Sequence, residues 1–162
     1  MKKQFLEYCL NNKFQQNEAQ IKTLELLGNF NKASSLKNLF LKLFSNSNQK
    51  LGFYLYGDVG VGKTMLLNFF FDKLEIPKER MHFNEFMINF HDFRHANKLK
   101  DTDNSIYNFV KILKKKTNLL YLDEFQVTNI VDAMILGKLF EFIFKEKIKV
   151  LFSSNIEITD LY

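Results

Sequence analysis

Cysteine is almost missing from this chain. Its 162 residues hold one, Cys9, so no internal disulfide can form and a reduced cytosol is the simple reading. Long apolar runs are missing too. None approaches the ~20 residues that a membrane-spanning helix needs. The N-terminus, Met1 to Tyr8, is interrupted by Glu7 and then by asparagines. It lacks the apolar core of a secretory signal and the arginines of a mitochondrial transit peptide. Histidine is scarce. His82, His91 and His95 have no cysteine near them, and the His91/His95 pair lacks the glutamate of a HExxH helix, so they form no convincing metal set.

What is present is a large apolar fraction. Hydrophobic residues make up 46% of the chain and 19 of them are Phe, enough for a packed core in one domain-sized chain and against disorder. The formal net charge is +5. A basic balance suits nucleic acid or anionic lipid. Here the lysines are spread along the chain, and the dense run from Lys111 to Lys116 reads as the polar face and last turn of a helix. Lysine-, asparagine- and phenylalanine-rich usage also fits a compositionally biased genome.

The six glycines are few, yet three fall in one octapeptide, Gly57-Asp58-Val59-Gly60-Val61-Gly62-Lys63-Thr64. This is the phosphate-binding loop pattern. Glycine lets the backbone curl round an anion where a Cβ would block the turn. Successive N–H groups of Gly60, Val61, Gly62 and Lys63 then point at phosphate oxygens. Lys63 carries a mobile positive charge to the β- and γ-phosphates, and Thr64 offers a hydroxyl to Mg2+. The context agrees. Leu51–Tyr56 reads as the strand entering the loop. Met65–Leu74 reads as the helix leaving it, with no breaker before Pro77. Its positive N-terminal end faces the phosphates.

A second run, Leu119–Leu122, reads as a strand buried on both faces. It ends in Asp123-Glu124, at the carboxyl end of the sheet where ligands bind in α/β folds. Asp123 is assigned to Mg2+, directly or through water, and Glu124 to activation of the attacking water. A third run, Lys147–Phe152, leads to Ser153-Ser154-Asn155. Asn155 is placed to sense the γ-phosphate or hold the water, the alternative being an ordinary Asx turn.

The remaining pattern completes an α/β reading. Helices are expected at Gln15–Asn29, with Gly28 as its stop, and at Lys32–Phe44, with Leu36, Leu39, Phe40 and Leu43 on one face. Residues 45–50 read as a polar linker. Arg80–Phe83 is a short second strand, followed by a helix from Asn84 to Leu99 and a loop in which Asn104 caps the next helix. Ile130–Lys145 is an amphipathic helix, with Ala133, Leu136, Leu139, Phe140 and Ile143 inward. Alternating strands and helices imply a parallel sheet covered on both faces. The expected division is a helical segment over residues 1–50, packed beside the nucleotide, and a P-loop NTPase core over 51–162.

These stretches carry a resemblance. The loop with its strand and helix, His82-Phe83-Asn84-Glu85-Phe86-Met87, Asp123-Glu124-Phe125-Gln126-Val127-Thr128 with Asp132-Ala133-Met134-Ile135-Leu136, and Ser153-Ser154-Asn155 with Leu161-Tyr162 resemble the ZapE and AFG-like ATPase family. Asn17-Glu18-Ala19-Gln20 resembles the start of that family's N-terminal helix. The resemblance covers residues 15–162. It implies a P-loop NTPase of the AAA+ type and an ATPase using ATP and Mg2+. It also implies a bacterial cytoplasmic setting linked to cell division, or a mitochondrial one linked to protein quality control. Two features depart from the pattern. Asn84 stands where the family has a second histidine. Family members also continue past the Leu-Tyr seen here, with a Gln-Arg motif, a fifth strand and a helical region. The expectation is therefore an incomplete core whose first strand is an exposed apolar edge, in a fragment or split reading frame. Three functions stay open: an ATPase acting as a homo-oligomer or with a separately encoded C-terminal half, a nucleotide-binding remnant with little turnover, and a nucleic-acid-binding loader, the last disfavoured by the scattered lysines.

Overall fold

The computed structural model describes residues 1–32, 50–98 and 101–161. The expected helix beyond Lys32, the polar linker that follows it, Leu99 and Tyr162 lie outside the described residues. Four strands form one sheet: β1 (Gly52–Tyr56), β2 (Lys78–His82), β3 (Leu119–Asp123) and β4 (Lys149–Ser154). All pairings are parallel, in the order β1-β4-β3-β2. β3 and β4 are central, and every one of their residues is buried. β1 and β2 are the edges of this sheet and are half-exposed.

Alternation along the central strands divides the interior in two. Leu119, Tyr121 and Leu151 point to one face, where they meet Phe5, Cys9, Leu24, Leu27, Leu66 and Phe70. That layer is built by α1 (Lys2–Asn11), α2 (Glu18–Lys32) and α3 (Lys63–Asp72). Leu120, Leu122, Val150 and Phe152 point to the other face, against Phe86, Phe90, Ile106, Val110, Leu136 and Leu139. Those residues come from α4 (Phe83–Ala96), α5 (Thr102–Lys116) and α6 (Ile130–Lys145). A short 3-10 turn, Ile158–Asp160, follows β4. The expected parallel sheet with helices on both faces is what the chain forms.

Most expected elements are present with shifted ends, and three expectations are corrected. Helix α1 had no counterpart in the pattern: only Phe5 and Cys9, one turn apart, are buried along it. Gly28 does not stop α2, which runs on to Lys32. A Cβ at Gly28 would meet open space, and no left-handed turn is needed there. Asn104 is not the cap of α5. Asp101 is, accepting from the Asp103 N–H, while the Asn104 side chain donates to Asp101 from within the first turn.

Candidate nucleotide site

The carboxyl ends of β1, β3 and β4 converge on a cleft of about 280 Å³ lined by the phosphate-loop residues, Asp123, Glu124 and Asn155. The loop reaches this position because β1 ends at Tyr56 and α3 begins at Lys63. Gly60 and Gly62 hold φ of +85° and +86°, a region that side-chain-bearing residues rarely enter. Gly62 is also the N-cap of α3, so the N-cap position offers no side chain to cap that helix. The first N–H groups of α3 are thus left for a ligand, which is what an anion site requires. Lys63 and Thr64 open the helix. Lys63 Nζ donates to the carbonyls of Gly57 and Asp58, each at 2.7 Å, and to Asn155 Oδ1 at 2.8 Å. Asn155 therefore faces the loop lysine across the cleft. Asn155 Oδ1 accepts from Lys63 Nζ, and the local turn bond is made by Ser154, whose Oγ accepts from the Ile156 N–H.

On the opposite wall Asp123 ends β3 and is 3% exposed. Its carboxylate is heavily engaged. Arg80 Nη2 lies 2.5 Å from Oδ2, Tyr121 OH lies 3.3 Å from Oδ1, and Ser153 Oγ donates to Oδ1. Burial opposes ionisation here. The bonds from Ser153 and Arg80, the Arg80 charge and the Tyr121 bond outweigh it and hold the carboxyl below its ordinary value. Asp123 is a fixed anion. Burial, and then the Asp123 charge, push the Tyr121 hydroxyl well above its usual value, so it stays a donor. Arg80 also covers the Tyr121 ring, 5.1 Å from its centroid.

Glu124 differs in every respect from its neighbour. Its side chain is 77% exposed and its φ is +53°. A non-glycine residue in that region is uncommon and held there by its surroundings. Two anchors are visible. Asp123 is locked on one side. On the other, Phe125 sits among Phe83 and Phe152, with ring centroids 4.6 Å and 4.9 Å away, and its N–H donates to the Ser153 carbonyl. The turn between these anchors projects Glu124 outward. His82 Nδ1, at the end of β2, lies 3.6 Å from Glu124 Oε2.

All the residues singled out in the sequence meet in this one region: Gly57, Asp58, Val59, Gly60, Val61, Gly62, Lys63 and Thr64 on one side, Asp123, Glu124 and Asn155 on the other. The pattern did not reveal Arg80, Tyr121, Ser153 or Gln20. All four stood in quoted stretches, but the bonds of Arg80, Ser153 and Gln20 join elements that only the fold brings together. The donor set suits the groups expected: backbone N–H groups and a lysine for phosphate, and the oxygens of Thr64 and Asp123 for a hard cation such as Mg2+.

Residues 2–162 match the family described as AFG1-like ATPase. The chain belongs to that family. Its relatives include the Lactation elevated protein 1 homolog B of Danio rerio, 40% identical over 123 residues, which cover 68% of this chain and 24% of that protein. The Cell division protein ZapE of Escherichia coli is 37% identical over 112 residues, covering 68% of this chain and 29% of ZapE. The chain spans about a quarter of the length of these relatives. Solved structures agree on the fold. Domain III of the Thermotoga maritima replication initiation protein DnaA superposes with a TM-score of 0.54 at 20% identity, over 80% of this chain and 56% of that one. The C. elegans PCH-2 structure gives 0.55 at 18% identity, over 90% and 39%. The fold is that of the AAA+ P-loop proteins. The family's members come from a fish and a bacterium alike, so membership is not tied to one kind of cell. No helix among the described residues is long and apolar enough to cross a membrane.

Proposed function

We propose that this chain binds ATP with Mg2+ in the cleft and hydrolyses the γ-phosphate. One observation carries the reading: Lys63 and the uncapped N-terminus of α3 face the Asp123-Glu124 pair across a single cleft. Phosphate oxygens replace Asn155 Oδ1 and the loop carbonyls as partners of Lys63. The loop N–H groups of Gly60, Val61 and Gly62 complete the cradle. Thr64 and Asp123 are the residues that would hold Mg2+, which supplies charge neutralisation at the transferring phosphoryl group. Because Asp123 already satisfies Arg80, Ser153 and Tyr121, it acts as a fixed anion rather than a proton carrier. Glu124, projecting and solvated, is the group free to accept a proton from the attacking water. Asn155 orients that water or reads the γ-phosphate.

The kinship with a cell division protein supports a wider setting, a cytoplasmic ATPase serving a protein client in cell division. In this reading it works as a homo-oligomer or beside further sequence outside these residues, and the AFG-like kinship also admits a quality-control client. The test of the chemistry is Glu124→Gln. Affinity for Mg2+-ATP stays within about twofold of the parental chain, while phosphate release falls by ~10²-fold or more. Parental turnover in Glu124→Gln would remove Glu124 from the role. Binding by the parental chain without any turnover would leave a nucleotide-binding module.

A further inference from the structure

Gln20, in the first turn of α2, lies 41 residues from the phosphate loop in sequence and touches it in space. Its Nε2 donates to the Val61 carbonyl at 3.2 Å. That carbonyl belongs to the Val61–Gly62 peptide. The unit is trans, like every peptide among the described residues, so its C=O and N–H point in opposite directions. A carbonyl drawn outward to Gln20 therefore sends the Gly62 N–H the other way, and Gly62 lines the cleft. A flipped peptide would instead aim a carbonyl oxygen at the phosphates.

We propose that Gln20 is a positioning residue for the phosphate cradle, holding the Val61–Gly62 peptide in its donor-inward orientation. The proposal rests on the nucleotide reading of the cleft. Three observations support it. The Gln20 amide packs directly on Gly62, whose φ of +86° favours glycine: a Cβ there would lie 2.9 Å from Nε2 and push the amide aside. The helix that carries Gln20 is anchored at both levels. Asn17 Oδ1 caps the Ala19 N–H at 2.8 Å, and Leu24 and Leu27 share a core with Leu66 and Phe70 of the loop helix. Third, Gln20 Oε1 is buried and has no hydrogen-bond partner among the described residues. A buried acceptor left unpaired is destabilising. An apolar side chain of the same length avoids that loss, so stability alone does not account for glutamine here. The amide cannot turn over to relieve it, because Oε1 would then face the Val61 oxygen.

The structure thus separates stability from binding, and the test reads both. Gln20→Met keeps the length and removes the donor. Its unfolding midpoint stays equal to or above the parental one, while its affinity for a fluorescent ATP analogue falls about tenfold. Gln20→Glu faces the Val61 oxygen with a carboxylate at neutral pH and binds at least as poorly. Its deficit relative to the parental chain shrinks as the pH drops toward 5, when a protonated carboxyl regains a donor. Parental affinity in Gln20→Met would overturn the proposal, and so would a loss of affinity matched by a loss of stability. If the parental chain binds no nucleotide, the reading of the cleft fails instead. The strut is then judged on the ligand-free, ¹⁵N-labelled protein. The Gly62 amide resonance is single in the parental chain and shifted or doubled in Gln20→Met; identical spectra would overturn the proposal.

Discussion

Lysines at the two ends of the sheet make the same kind of contact and have different consequences. At the amino ends, Lys149 opens β4 and Lys78 opens β2. Lys149 Nζ donates to the Phe30 carbonyl at 2.5 Å in the last turn of α2 and lies 4.5 Å from the Phe30 ring centroid. Lys78 Nζ reaches the Leu74 carbonyl at 2.8 Å and the Phe71 carbonyl at 2.5 Å, past the end of α3, and lies 4.8 Å from the Phe71 ring. Both place a cation at the negative end of a helix. Their acceptors are backbone carbonyls in or just beyond the last turn of a helix. At the carboxyl end, Lys63 also bonds two carbonyls, but they belong to a glycine loop, and its third partner is the exposed Asn155 side chain. Those partners can be exchanged for phosphate oxygens. A lysine bonded to carbonyls is therefore a fastener or a ligand group according to what else its acceptors can do.

One substitution, Lys→Met, applied at the three positions sharpens this comparison. Lys63→Met has the largest effect: affinity for ATP falls ~10²-fold or more, and the urea unfolding free energy stays within about 0.5 kcal/mol. Lys149→Met does the opposite. It removes a buried lysine's bond to the Phe30 carbonyl and costs about 2 kcal/mol of stability, read from urea unfolding, with ATP affinity nearly unchanged. Lys78→Met costs about 1 kcal/mol, because Lys78 is only half-buried and water can serve its acceptors. The smallest effect is on pH dependence. Asp123 has a lowered carboxyl pKa in the folded chain. Its contribution to stability is complete above the unfolded value of about 3.9 and is lost as pH falls from there through the folded value. Asp123→Asn flattens that acid limb in unfolding curves. An unchanged limb would mean that the Arg80 and Ser153 bonds do not stabilise the ionised form.

The site was more legible than the scaffold around it. The shape of the loop could be read because its glycine spacing sets local backbone geometry, as the left-handed Gly60 and Gly62 show. Asp123 could be read because four apolar residues in a row announce a central strand, and the strand's carboxyl end follows directly. The bounds of α6 were legible from its inward apolar face, and the structure adds a cap: Asn129 Oδ1 accepts from the Val131 N–H. What stayed hidden depends on pairs distant in sequence. α2 extends beyond Gly28 to a turn whose Phe30 and Asn31 carbonyls meet Lys149, far along the chain. Arg80 meets Asp123 only because β2 pairs with β3. Gln20 meets Val61 only because α2 packs on α3. Asp101 rather than Asn104 caps α5, a choice between neighbouring polar residues that composition does not decide.

The most direct measurement is a calorimetric titration of Mg2+-ATP into the parental chain, Lys63→Met and Lys149→Met, with the unfolding midpoint of each recorded alongside. The account predicts binding by the parental chain and by folded Lys149→Met, and its loss in Lys63→Met at unchanged stability. Equal affinity in the parental chain and Lys63→Met would contradict it, as the cleft at the carboxyl end of the sheet would then not be where the nucleotide is held.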